Sequence, residues 1–210
     1  MTLNDILDRA EAQTQQLASA WSPQLDDNDR RYLVMAFHRA EYLAQCALEA
    51  AIDQVSEGFR DELLEQLADE QRHVDVFAQW QSDDVPAIPS PRVRQRSEPV
   101  WFALLLINEA AGYCQFHMLM GLLGDGERRD AVAGILADER VHIARLQRWL
   151  EAYRGKPAYA QVMEIIASFR KKLPGRMAQF LPREELADLR VEMASRVDAL
   201  IADVMLLGSD

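Results

Sequence analysis

Four short stretches of this chain repeat one theme. They are Glu41 in AFHRAEYLAQ, the run ADEQRH with Asp69, Glu70 and His73, Glu109 in LLINEAAGY, and the run ADERVH with Asp138, Glu139 and His142. As a pattern this is E, DExxH, E, DExxH. A Glu and a His three residues apart stand on one face of a helix, about a turn from each other. Two such pairs plus two single Glu supply six hard oxygen and imidazole donors, and the four carboxylates match the charge of two divalent cations.

The spacing is as regular as the motif. Glu41 and Glu109 are 68 residues apart, while Glu70 and Glu139, His73 and His142, and Asp69 and Asp138 are each 69 apart. This predicts two helical hairpins of nearly equal length, turning at Ser56-Glu57-Gly58 and at Gly124-Asp125-Gly126. Within each antiparallel hairpin the single Glu and the ExxH pair fall at the same height, about 24 Å from the turn at 1.5 Å per residue. Unrelated surface carboxylates have no reason to obey that symmetry. A lone buried Glu or His is more often satisfied by hydrogen bonds than by metal, but six at matched heights make a purely structural reading poor.

Along the chain, residues 3–20 predict an amphipathic first helix that Ser22-Pro23 interrupts. A helix over about 26–55 opens on the acidic DDND, which suits a helix N-terminus. It carries Val34, Phe37, Glu41, Ala44 and Leu48 on one face. His38, one turn before Glu41, reads as a surface residue or a support behind the ligands rather than as a ligand. A helix over about 58–81 buries Leu63, Leu67, Glu70, Val74 and Phe77. Asp69 and Asp138, each preceding a ligand Glu, are expected to accept the free ring N–H of a metal-bound histidine across the bundle; solvated acids are the alternative.

Residues 82–97 hold three prolines and no helical period. About 15 extended residues reach roughly 50 Å, whereas a helix of about 25 residues is about 37 Å long. The linker can therefore run the length of a bundle, which makes the next helix parallel to the one before. That helix, about 97–123, is the most hydrophobic, with Ser97 as cap and Pro99 in its first turn. Phe102, Leu105, Leu106, Glu109, Tyr113, Phe116 and Met120 form its broad apolar face. Gly112 serves either close packing or a cavity. Tyr113 is open to three readings: pocket lining, redox-active group, or plain core residue. A helix over about 126–154 ends at Gly155-Lys156-Pro157. Two more, about 158–172 and 183–206, are split by Leu173-Pro174-Gly175 and Pro182, and the last carries an apolar seam for the bundle or for a second subunit.

A net charge of −11 argues against a nucleic-acid or anionic-membrane partner. Cys46 and Cys114 are isolated, with no CxxC, so neither a zinc knuckle nor a rubredoxin-type iron site is encoded. The start MTLNDILDRAEAQ lacks signal-peptide regions, and the run Val100 to Ile107 is too short to span a bilayer. The expectation is one all-α, cytoplasmic domain over 1–210, with a core four-helix bundle over about 26–155 and peripheral helices at 3–20 and 158–206.

Over residues 26–155 the sequence resembles the ferritin-like di-iron-carboxylate superfamily. That group includes bacterioferritins, rubrerythrins, manganese catalases, acyl-carrier-protein desaturases and aldehyde-deformylating oxygenases. The resemblance implies a ferritin-like four-helix bundle of two hairpins and one long crossover. It implies two iron ions, or manganese, on Glu41, Glu70, His73, Glu109, Glu139 and His142. His142 departs from typical ferritins, and Gly112 stands where rubrerythrins carry an extra Glu. Relative to a bacterioferritin the chain adds an N-terminal helix and about 55 C-terminal residues. What the resemblance then implies is an oxidase or oxygenase that uses O₂ and an external electron donor on a small, apolar substrate. Tyr113 would be the catalytic residue beside a pocket of Gly112, Phe116 and Met120. Rival readings are a ferroxidase or iron store, a manganese catalase-like peroxide disproportionator, and a bundle with a relict site. A homodimer is compatible with all of them.

Overall fold

The computed structural model describes residues 1–81, 88–89, 91, 94–124 and 126–207. Among these residues the chain is all-helical, with seven α-helices and no strand. The helices are α1 (Leu3–Trp21), α2 (Asp27–Ile52), α3 (Glu57–Gln79), α4 (Glu98–Leu122), α5 (Glu127–Glu151), α6 (Tyr159–Met177) and α7 (Ala187–Leu206). Most of the linker expected over 82–97, and Asp125 of the second expected turn, lie outside the described residues.

Local chemistry fixes the ends. Thr2 with Asp5, and Asp26 with Asp29, form capping boxes that satisfy the first free N–H groups of α1 and α2. Pro99 sits in the first turn of α4, where its missing N–H is harmless. Gly155, at φ +76°, turns the chain after α5. One boundary differs from the sequence reading. Pro174 does not break the sixth helix, which runs on to Met177. The proline removes one hydrogen bond in the last turn, but Leu173 and Met177 are buried on either side of it and hold the helix down.

α2 packs on α3 and α4 on α5, each pair joined by a short turn and so antiparallel. Hydrogen bonds then set the polarity of the two pairs. The Ser56 N–H, at the start of α3, donates to Glu98 at the start of α4 at 2.6 Å. Arg30, near the start of α2, reaches the carbonyl of Leu122 at the end of α4 at 2.9 Å. Helices α3 and α4 are therefore parallel, and α2 runs against α4.

α4 is the central element, touched by α1, α2, α5, α6 and α7. That explains its composition: a helix with neighbours all round must be apolar all round. The seam of α7 is covered within the chain by α1, α4 and α6. The α1–α4 contact is tight at Gly121, where an added Cβ would lie 2.6 Å from the Cβ of Ala18. Gly121→Ala should therefore destabilise the fold by roughly 1–3 kcal/mol through overpacking, read as a lowered urea midpoint at unchanged m.

A buried carboxylate–histidine cluster

The matched heights inferred from spacing become one constellation. α2 supplies Glu41, α3 supplies Glu70 and His73, α4 supplies Glu109, and α5 supplies Glu139 and His142. None of the six is more than 6% exposed. Their donor atoms form two groups: Glu41, Glu70, His73 and Glu139, and Glu70, Glu109, Glu139 and His142. Within each group the atoms lie within 4.8 Å of one another, a spread a metal ion could close. Glu70 and Glu139 belong to both groups.

Each imidazole is held by its two nitrogens in opposite senses. The Nδ1 of His73 faces Glu41 at 3.3 Å, and that of His142 faces Glu109 at 3.1 Å. On the outer side, His73 Nε2 meets Asp138 at 3.2 Å and His142 Nε2 meets Asp69 at 3.1 Å. The aspartate of one hairpin thus meets the histidine of the other. An Nε2–H donated to these carboxylates leaves each Nδ1 free to bind metal. Arg72, on the surface, closes the arrangement by reaching Asp69 at 2.5 Å and Asp138 at 3.2 Å.

The inner polar atoms are poorly satisfied. Glu70 Oε1 and Glu139 Oε2 are buried without a hydrogen-bond partner, and Glu41 Oε2 and His73 Nδ1 face each other at 3.3 Å without hydrogen-bond geometry. Such groups are costly in a dry interior and are ordinarily paired or bound to metal. Burial, reinforced by the neighbouring charges of Glu109 and Glu41, pushes the Glu70 carboxyl well above its ordinary range. Burial and the charges of Glu109, Glu70 and Glu41 do the same to Glu139. Burial opposes charge on His73 as well, but the carboxylates of Glu41 and Glu70 that face it outweigh that and raise it to about 11. His142 is raised in the same way by Glu109 and Asp69 against the effect of burial. For Glu109, burial is outweighed by His142, and its carboxyl falls below the ordinary range. The result is a compact store of protons and hard ligands, and this donor chemistry fits metal ions.

Two supporting residues were not legible beforehand. Gln66, fully buried one turn before Glu70, donates to Glu109 Oε1 at 2.8 Å. Its only sequence signal was its place on the inner stripe of α3. Arg72 looked like any exposed cation. His117 also escaped notice; it is buried beside Tyr113 and faces Gln15 and Glu11 of α1. Burial and the nearby Arg140 charge push its imidazole down to about 4.

A groove of about 820 Å³ leads from the surface to Glu41, Glu70, Glu109 and Glu139. Its floor is α4, through Leu104, Asn108, Ala111, Gly112 and Gln115, and its walls are α2 and the C-terminal part of α6. Gly112 lies in it. A Cβ there would meet Glu139 and Phe116 only at an ordinary 3.5 Å, so close packing does not require the glycine. The other expected pocket residues lie elsewhere. Phe116 stacks with Phe37 and Phe77 in the core. Met120 is partly buried against the core and is not part of the groove. Tyr113 turns its hydroxyl to the Leu7 carbonyl at 3.3 Å and accepts from Arg140 at 3.0 Å. One residue along α4 is a rotation of about 100°, which carries Tyr113 away from Gly112 and the groove. His38 belongs to neither donor group, and its Nδ1 is buried without a partner.

Among the described residues no helix is long and apolar enough to cross a membrane, and both cysteines are free. No family model, no curated protein and no solved structure matches this chain.

Proposed function

We infer that this chain is a ferritin-like dimetal-carboxylate protein that holds two iron ions, with manganese the alternative, and oxidises a small organic substrate with O₂. One observation carries the reading: two four-residue donor groups that share Glu70 and Glu139. Glu70 and Glu139, common to both groups, would hold both ions, with Glu41 and His73 completing one set and Glu109 and His142 the other. Carboxylate-rich nitrogen and oxygen sites suit iron or manganese better than copper or zinc. Such a pair, when bound, supplies two-electron chemistry toward O₂ or peroxide.

The chain's own residues do the rest. Asp69 and Asp138 fix the imidazole rings, and Gln66 fixes one oxygen of Glu109. All six donor residues are buried, and the groove reaches four of them, so a substrate would meet the centre from that side. That groove favours an organic substrate over iron itself, which has no need of an 820 Å³ approach past Leu104, Ala111 and Phe169. The electrons come from an external donor.

The test is elemental analysis of the purified chain with O₂ uptake after anaerobic loading with Fe²⁺ and a reductant. Two irons per chain and reductant-dependent O₂ consumption are expected. A large cage carrying many irons per chain would make it a ferroxidase. Manganese with rapid O₂ release from peroxide would make it a catalase. Failure to bind any metal would overturn the dimetal reading.

A further inference from the structure

The rim of the groove differs in charge from the rest of the molecule. The chain carries 34 acidic and 23 basic residues, yet the charged side chains that line the groove above the buried carboxylates are Arg39, Arg94, Arg96 and Arg176. They come from three separate segments: α2, the stretch leading into α4, and α6. None of the four forms an ion pair with a described residue. Most other arginines near acids do pair, as Arg9, Arg72, Arg140, Arg145, Arg170 and Arg183 show. In an acidic protein, four cations gathered at one opening, with no ion-pair partner among the described residues, set up a local field that attracts an anion. Arg176 is also held in place, with its guanidinium 4.5 Å from the ring centroid of Phe169, another groove residue.

Below the rim the lining changes to Ala40, Ala44, Leu104, Ala111 and Phe169 before it reaches the carboxylates. The order from outside to inside is cationic, apolar, then metal-binding. We propose that the groove takes an apolar chain ending in a carboxylate, with the head on the rim arginines and the chain laid along α4 toward Glu41 and Glu139. Guanidinium forks match a planar carboxylate. This assignment rests on the dimetal reading for its chemistry but not for its binding step.

The experiment is calorimetric titration of the full-length protein, metal-free and metal-loaded, with four ten-carbon probes below their micellar concentrations. Decanoate should bind with a Kd of roughly 10–100 µM, with decanol about tenfold weaker and decyltrimethylammonium undetectable. Arg94→Ala/Arg96→Ala and Arg39→Glu should each weaken decanoate by about fivefold or more at unchanged metal content, while the exposed Arg60→Ala should change nothing. Equal affinity for decanoate and decanol, or indifference to the rim substitutions, would overturn the proposal. Decyl phosphate binding about tenfold tighter than decanoate would overturn the carboxylate as head group. Decanoate binding to a chain that takes up no metal would keep the groove assignment and sink the dimetal reading; metal uptake without decanoate binding would do the reverse.

Discussion

Glu139→Gln should lower metal content from about two ions per chain to a small fraction of one, whereas Glu41→Gln should leave about one. The asymmetry follows from geometry. Glu70 and Glu139 are common to both donor groups, while Glu41 serves only one. Losing a shared carboxylate removes a ligand from each ion and the bridge between them. Losing Glu41 leaves Glu70, Glu109, Glu139 and His142 together. Glu139→Gln should not unfold the metal-free chain. Burial already favours the neutral acid at this position, and the amide has nearly its shape. Its metal-free melting temperature should equal or exceed that of the parent. Elemental analysis beside thermal melts in chelator gives both numbers. Equal metal loss in the two variants would show that the carboxylates are not shared.

The metal-free protein should lose stability as pH rises from about 5.5 to 9, and bound metal should reverse that slope. The folded state raises the proton affinity of Glu70, Glu139, His73 and His142 above ordinary values, His73 to about 11. A native state that binds more protons than the unfolded chain is favoured at low pH and loses that advantage as pH climbs. The window opens above the ordinary carboxyl range near 4.3 and, for His73, extends to its raised value. A fall in melting temperature on the order of 5 °C or more across it is expected in chelator. Divalent metal takes the place of the protons, so loading should release on the order of two to four of them at pH 7 and bind more tightly as pH rises. Melts in chelator and in Mn²⁺, with a pH indicator in weakly buffered titrations, measure both effects. A chelated protein whose stability rises steadily over the window would refute the assignment.

The centre of the molecule was legible because its signal is local and repeated. A Glu on an apolar stripe, a histidine one turn later, and a second copy 69 residues on require only helical periodicity to be placed on one level. The exchange of Asp69 and Asp138 between the hairpins could be read for the same reason. The groove could not, because its outer wall is α6, and nothing in residues 159–177 says which side of α4 they cover. For that reason Phe116 and Tyr113 were assigned to a pocket that opens on another face. The helical run through Pro174 was hidden as well, since tertiary burial of Leu173 and Met177 overrides a local breaker. Gln66 and Arg72 became meaningful only once Glu109 and Asp138 were known to face them.

The reciprocal aspartate–histidine bonds bear on the order of events in folding. Each hairpin brings acids whose cationic neighbours arrive with the other: His142 lies against Glu109 of its own pair but also against Asp69 of the opposite one, and His73 needs Asp138. Until the halves meet neither donor group is complete, since each draws ligands from both hairpins. Docking is therefore an event of charge neutralisation as much as of apolar burial, and competence to take up metal arrives in that step rather than with the helices themselves.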